Sequence, residues 1–535
     1  MICHEARELS DRRPYGAVSV GSEIVLSCRS DAESITLLVR NGERTDEYPC
    51  VRSGDRHSAR FFAPDTGSLL FYRFRSAWEE TAERQITVYR PAEVPAWYKN
   101  AIVYQIFPDR FAREAAWRFR EPERRKGAPR FTVADWDTPV FYPRDEQGAV
   151  SSWPFWGGTL RGIEEKLPYL ASLGVSCLYL NPIFDALSNH RYDTADYERI
   201  DPLLGTEEDF VSLCRAAAER GIRIILDGVF SHTGADSVYF DKFGSFGSGE
   251  RYRSWFRFGK QYRHGYECWW DVPDLPNVEE NDPDYIEFIC GENGVLRRWL
   301  RLGASGWRLD VADELPDAFI RRIREAVKAE KSDAVLLGEV WEDASNKVSY
   351  GEQRMYLMGE ELDATMHYPF RAAVLDFVLF RSSAPMLCER LESIRENYPR
   401  ENQLAALNLI GSHDRERTLT ALGGDREAMK LLQVLQFACP GVPCLYYGDE
   451  AGMTGGADPY CRAPFSWGRE ETELAAHWRS LAALYSEHPA MRTGETAYFS
   501  RGEDVFGVTR TDGTERVSIA VDRAAKSWSI ETERA

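Results

Sequence analysis

The sequence predicts an α/β fold: a (β/α)8 TIM barrel with an insertion after strand 3, an N-terminal β-sandwich and a short C-terminal β-domain. Three observations carry this reading. Eight short apolar runs recur along the middle of the chain, at Ala101–Ile106, Cys177–Leu180, Ile222–Leu226, Gly306–Leu309, Val335–Leu337, Leu362–Met366, Ala406–Ile410 and Cys444–Tyr447. Between or after many of them lie amphipathic helical patterns, such as Arg161–Leu173, Glu207–Arg220, Leu315–Glu330 and Glu471–Ser486. Near-continuous apolar strands alternating with helices argue a parallel sheet covered on both faces, and eight such units argue a barrel. Finally, both ends of the chain read as β structure.

At the N-terminal end the expected strands are Glu23–Cys28, Ser34–Val39, Ala59–Phe62, Leu69–Phe74 and Gln85–Tyr89, separated by polar turns and closed by Pro91-Ala-Glu-Val-Pro95. At the C-terminal end they are Val505–Thr511, Arg516–Asp522 and Ser527–Thr532, with Asp512-Gly513 as a hairpin signal. The expected domains are 1–95, 96–489 and 490–535, with an inserted domain at about 233–281. That insertion holds twelve aromatics between Tyr239 and Trp270, including Trp255, Trp269 and Trp270. They fit either a small satellite core or a wall on which glycan rings stack.

Composition narrows the function. At roughly 150 residues per domain, 535 residues suggest about three and a half domains. The 85 acidic and 66 basic residues leave a net charge of −19, which argues against a nucleic-acid groove or an anionic-membrane anchor. No stretch reaches the roughly 18 unbroken apolar residues of a membrane span. The N-terminus lacks the basic and apolar regions of a secretory signal. Eleven cysteines, an odd number without CxxC pairs, suit reduced thiols, so a cytoplasmic location is expected. HxH, HExxH, GxGxxG and GxxxxGK[ST] motifs are absent, which weighs against zinc hydrolases, Rossmann enzymes and P-loop enzymes.

Catalytic side chains of a parallel barrel come from the C-terminal ends of its strands. The polar residues there are Asn181, Asp227, His232, Arg308, Asp310, Glu339, His413 and Asp414. Arg308 and Asp310 are two apart, so they share a face, and the guanidinium would keep the carboxylate ionised as a nucleophile requires. On its own the pair also fits a structural ion pair that closes the barrel. Glu339 stands between Val335-Leu-Leu-Gly338 and Val340-Trp341, an apolar setting that raises a carboxyl pKa for general-acid work. Alone it is more often an ordinary strand-end carboxylate. Together these acids match the pair that retaining glycosidases hold about 5 Å apart.

The sequence resembles the α-amylase family (glycoside hydrolase family 13). The ordered motifs are Asp227-Gly-Val-Phe-Ser-His232, Gly306-Trp-Arg-Leu-Asp310, Gly338-Glu339-Val-Trp341 and Ser412-His413-Asp414. Flanking signatures include Tyr104-Gln-Ile-Phe-Pro-Asp-Arg-Phe111, Gly157-Gly-Thr-Leu-Arg-Gly162, His190-Arg-Tyr-Asp193 and Gly441-Val-Pro-Cys-Leu-Tyr-Tyr-Gly-Asp-Glu450. The resemblance implies Asp310 as nucleophile, Glu339 as acid/base and Asp414 as the carboxylate gripping the distorted sugar. It implies that Arg308 holds Asp310 ionised, and that His232, His413 and His190 contact the donor sugar. Tyr192 would stack on that ring, Trp341 would stack in the acceptor subsites, and Asp227 would give structural support by bracing the arginine. Barrel-rim packing is the other reading of Trp341.

Within the family, the N-terminal module and Ser188-Asn-His-Arg-Tyr-Asp-Thr194 look like the neopullulanase, cyclomaltodextrinase and maltogenic amylase group. That group usually carries a calcium loop after Phe111, whereas Ala112-Arg-Glu-Ala-Ala-Trp117 lacks its ligands, so no metal or other cofactor is expected. Its fingerprint in the insertion is also altered, to Leu275-Pro-Asn-Val-Glu279. The implied partners are α-glucan oligosaccharides and, by likeness to a dimer-forming group, a second copy whose N-terminal module covers the barrel mouth. The implied reaction is retaining hydrolysis of α-1,4 bonds in cyclodextrins, maltooligosaccharides or pullulan. A transglycosylase or branching-type enzyme shares the same covalent intermediate. A non-catalytic glycan-binding barrel is the reading of another class, and the intact acids stand against it.

Overall fold

The computed structural model describes residues 1–534. Its centre is an eight-stranded parallel sheet: β1 Val103–Ile106, β2 Cys177–Leu180, β3 Arg223–Gly228, β4 Gly306–Leu309, β5 Val335–Gly338, β6 Ala364–Thr365, β7 Leu407–Leu409 and β8 Val442–Tyr446. The hydrogen-bonded order is β6-β5-β4-β3-β2-β1-β8-β7, and a parallel bridge between Met366 and Leu407 closes β6 onto β7. The expected TIM barrel is therefore present, with all eight strands on the expected runs.

Strand period places alternate residues inside and outside the barrel. Tyr104, Ile106, Leu178, Leu180, Ile224, Leu226, Trp307 and Leu309 face the helices in the main core. Val103, Cys177, Ile225, Leu337, Leu407, Leu409, Val442 and Cys444 fill the interior. Gln105, Tyr179, Asp227, Arg308 and Glu339 occupy inward positions two residues further along, so the next interior layer is polar. β4 enters through Gly306, where a Cβ would lie 2.4 Å from the Val335 carbonyl, so no larger residue lets β4 and β5 approach as they do.

Helix ends follow their capping chemistry. Glu207–Ala218 starts with a capping box in which Thr206 and Asp209 bond each other's main chain. The helix expected at Leu315–Glu330 begins at Asp317 because Pro316 precedes it. The single helix expected at Arg161–Leu173 is two, Leu160–Glu165 and Leu167–Ser172, divided at Lys166 where Pro168 cannot supply an amide hydrogen.

The N-terminal module is a sandwich of a four-stranded and a five-stranded sheet. Ile24, Leu26, Cys28 and Phe61 of one sheet pack against Leu37, Val39, Tyr72, Phe74, Ile86 and Val88 of the other. Two of its strands, Arg44–Pro49 and Val51–Ser53, escape the sequence reading because their mostly exposed residues show no apolar alternation. The sandwich is pinned to the barrel of its own chain. Buried Arg12 donates to Glu396 at 2.6 Å, Arg7 pairs with Glu389 at 2.7 Å, and the Gln85 side chain bonds Ser345 and Asn346 in the loop after β5. The C-terminal module is a four-stranded antiparallel sheet, with Glu495–Arg501 added ahead of the three expected strands.

Most of the aromatics of the insertion after β3 form the satellite core. Tyr239, Phe240, Trp255, Phe256 and Tyr266 are buried and form a satellite core against Tyr285 and Phe288. Trp269 instead lies 5.5 Å from the His232 ring, with the exposed Trp270 beside it.

Candidate active site

The polar layer of the barrel is built around Arg308, which is fully buried. Asp227 and Arg308 are register partners on β3 and β4, so their side chains meet directly. Arg308 Nη1 donates to Asp227 Oδ1 and to Asp310 Oδ1, each at 2.7 Å, while Nη2 lies 2.9 Å from Glu339 Oε2. The remaining oxygen of Asp227 accepts from the Tyr179 and Tyr192 hydroxyls, both at 2.8 Å. Asp227 is therefore fully engaged by protein donors. Glu339 Oε2 also accepts the Val311 N–H at 2.8 Å, and Oε1 accepts the Trp341 indole N–H at 3.2 Å.

Asp414 stands at the same mouth after β7, its side chain about one quarter exposed at 26%. Arg462, from the loop after β8, reaches it at 3.4 Å, bonds the His413 carbonyl at 2.8 Å and pairs with Asp458 at 2.8 Å. His413 Nδ1 faces the side-chain amides of Gln105 at 2.9 Å and Asn181 at 3.3 Å. Amide N–H groups donate, so Nδ1 accepts and the proton sits on Nε2. That Nε2–H faces the Tyr192 hydroxyl at 2.6 Å, and the two rings stack 6° from parallel. His190 Nδ1 accepts the Tyr192 main-chain N–H at 3.1 Å, and its ring meets Trp153 edge-on. His232 Nδ1 meets Ser231 Oγ at 2.9 Å, while its buried Nε2 has no partner among the described residues.

Burial dominates the electrostatics. It pushes Asp227, Asp310, Glu339 and Asp414 all upward, with Arg308 opposing in each case and Arg462 also at Asp414. Arg308 lowers Asp310, the direction the sequence reading gave it, while burial and the neighbouring acids Glu339, Asp227 and Asp414 raise it. Such a set keeps a proton to higher pH than isolated acids do. Burial lowers His190 and His413 well below the ordinary range and His232 to about 4, so the imidazoles are neutral at pH 7.

Every candidate site residue thus lies in this cluster, but Trp341 differs from the expected stacking platform. Tyr368 stacks on its ring at 4.1 Å and the Arg415 guanidinium covers it at 4.4 Å, so its edge meets the site through the bond to Glu339. Sequence reasoning overlooked Gln105, Tyr179 and Arg462 as members of the site. Strand period held the signal for the first two, each two residues beyond an inward apolar position.

Phe111 is followed by a loop that does not fit a calcium ion. The Arg113 guanidinium donates there to the carbonyls of Trp156, Ala134 and Val133 at 2.6–2.9 Å and lies 3.8 Å over the Trp117 ring. A fixed organic cation already serves the oxygens that a hard metal ion would need. A separate cavity of about 430 Å³, lined by Trp117, Arg120, Thr132 and Asp209 among others, shares no residue with the acid cluster.

Known proteins place this architecture. Residues 105–499 match the alpha-amylase catalytic-domain family. The amylopullulanase of Thermoanaerobacter thermohydrosulfuricus is 33% identical over 99% of this chain, which spans only 43% of that protein. The cyclomaltodextrinase of Geobacillus thermopakistaniensis is 37% identical over 82% of this chain and 71% of its own length. Among solved structures, the cyclic α-maltosyl-(1→6)-maltose hydrolase of Arthrobacter globiformis superposes with a TM-score of 0.73 at 32% identity, covering 83% of this chain and 100% of that one. With its barrel, its ordered motifs and its central acid cluster, the chain belongs to the α-amylase family of glycoside hydrolases.

Proposed function

We propose that the protein is a retaining α-glucan hydrolase that cleaves α-1,4 bonds of cyclodextrins, short maltooligosaccharides or pullulan. The single observation that carries this reading is Arg308, whose two terminal nitrogens hold Asp310 and Glu339 side by side. A guanidinium spans only a short gap, which supports the roughly 5 Å spacing of a retaining pair over the wider spacing that admits a water for inversion.

In this mechanism Asp310 attacks the anomeric carbon while Glu339 gives its proton to the departing glycosidic oxygen. The bond from sugar to leaving group breaks, a glycosyl ester forms on Asp310, and Glu339 becomes a carboxylate. Glu339 then takes a proton from water, which attacks the same carbon and releases Asp310. The proton retained by the buried acid set supplies the first step. Neutral His232, with its unpartnered Nε2, and His190 are suited to hydrogen-bond the hydroxyls of the donor sugar, His413 to orient Tyr192 beside that ring, and Asp414 to hold the ring as it flattens. Trp269 and Trp270 offer aromatic surface on the insertion side of the mouth. The names of the two hydrolases of cyclic glucans and cyclodextrins among the relatives support small or cyclic substrates.

No bound metal is needed in this reading, in line with Arg113. Eleven unpaired cysteines support a reducing, cytoplasmic setting, and no helix is long and apolar enough to cross a membrane. A homodimer is also part of the proposal, supported by the apolar Val51, Phe62 and Trp78 side chains left exposed on the N-terminal module. Product analysis on β-cyclodextrin, pullulan, maltotriose and soluble starch, with light scattering for mass, tests it. Preference for cyclodextrin with glucose and maltose as products agrees with it. Longer or branched products in place of hydrolysis favour the transglycosylase.

A further inference from the structure

Val311, immediately after Asp310, is left-handed, with φ 38° and ψ 57°. A β-branched residue there is strained by about 1–3 kcal/mol, and such strain persists only where the surroundings enforce it. The enforcing contacts are present. Glu314 N–H bonds the Val311 carbonyl at 2.8 Å, and buried Arg354 holds the Asp313 carbonyl at 2.9 Å and that of Leu315.

The turn alters the β4–β5 ladder in one specific way. Glu339 N–H bonds the Leu309 carbonyl at 3.0 Å, so a regular parallel ladder would next send the Val311 N–H to the Glu339 carbonyl. Instead Ala312 N–H takes that carbonyl at 3.2 Å, and the Val311 N–H is freed to bond Glu339 Oε2 at 2.8 Å. Left-handed followed by right-handed backbone makes successive N–H groups converge, and here both converge on one residue.

We infer that Val311 is a positioning residue for proton transfer, its left-handed backbone aiming an N–H at Glu339 Oε2 so that the proton is carried on Oε1. Oε2 accepts the Val311 N–H at 2.8 Å and lies 2.9 Å from the positive charge at Arg308 Nη2, whereas Oε1 receives only the longer Trp341 bond at 3.2 Å. The charged and titratable groups facing Glu339 are Arg308, Asp227, Asp310 and Asp414. The inference rests on the reading of Glu339 as the acid/base.

The test replaces Val311 by its α-hydroxy acid, which deletes the N–H and keeps the side chain. On maltotriose, kcat should fall about tenfold or more with KM little changed, and the basic limb of the pH profile should move upward, because a donor to the ionised form is lost. Cleavage of an activated aryl α-maltoside, which needs no acid, should keep its first-step rate. Val311→Gly reaches the same backbone without a Cβ and keeps the N–H, so it should stay within about threefold of the parent on both substrates. Equal losses on both substrates, or an equal loss in Val311→Gly, overturn the inference. Glu339→Gln run alongside separates the two claims. Leaving-group dependence there with none at position 311 overturns only the role of Val311, and its absence from both overturns the acid/base reading and this inference with it.

Discussion

Asp227 and Arg308 face each other in register across two barrel strands, and the nitrogen that bonds Asp227 at 2.7 Å also bonds Asp310 at 2.7 Å. Asp227 is thus a brace for the nucleophile's partner. Both of its oxygens are engaged, by Arg308, Tyr179 and Tyr192, and the residue is buried.

Asp227→Asn should therefore act through Arg308. A misplaced guanidinium disturbs both Asp310 and Glu339, and kcat should fall by about 100-fold, a typical cost of displacing a reacting group by an ångström. Arg308 keeps Asp310 and Glu339 as partners, so the loss of one of its three carboxylates should lower the melting temperature without unfolding the protein. Steady-state kinetics with thermal melts check this, and near-parental kcat would remove the brace from the mechanism.

The stabilisation contributed by Glu361 should decline as pH rises from about 4.5 to about 8. Glu361 is fully buried, with neither oxygen hydrogen-bonded and Arg321 3.2 Å away in poor hydrogen-bond geometry, and burial raises it to about 8. The native state keeps a proton that the unfolded chain releases near pH 4.5, so the stabilisation is complete at low pH and is lost as pH climbs through the folded value. The slope is at most about 1.4 kcal/mol per pH unit for one proton. Urea titrations of the parent and of Glu361→Gln measure it, and the variant should show a shallower decline. An identical slope in both proteins contradicts the assignment.

Dialysis against a chelator should leave activity and melting temperature unchanged at the loop after Phe111, because Arg113 serves its carbonyls. Arg113→Ala should instead cost roughly 1–3 kcal/mol, the range for charge-assisted bonds lost from a half-exposed site. A large loss on chelation, restored only by calcium, would show that the ion binds after all.

Arg12→Ala should loosen the N-terminal sandwich, since it leaves Glu396 buried without its 2.6 Å partner. Limited proteolysis should then cut faster near residues 91–95. Activity on short maltooligosaccharides should persist, because no member of the acid cluster lies before Gln105. An unchanged cleavage rate would show that the remaining contacts suffice.

The barrel was legible in the sequence because its strands are buried on both faces and read as continuous apolar runs. The motif acids were legible because a parallel barrel gathers strand ends at one mouth. Arg44–Pro49 was not, since an exposed strand keeps its polarity and is held by its neighbours' main chain. The closed faces of Trp341 were not either, because Tyr368 and Arg415 come from other loops and nothing in Glu339-Val-Trp341 records their approach. Val311 is the sharpest case. Valine favours extended backbone, and only contacts from Glu314 and Arg354 turn it left-handed.

The most direct test of the mechanism is to trap the glycosyl ester. Glu339→Gln, incubated with α-maltosyl fluoride and digested, should yield by mass spectrometry one maltosyl adduct, on the peptide that carries Asp310. An adduct on Asp414 or Asp227, or turnover of the fluoride by the parent enzyme with the β-anomer released first, would contradict a retaining reaction through Asp310.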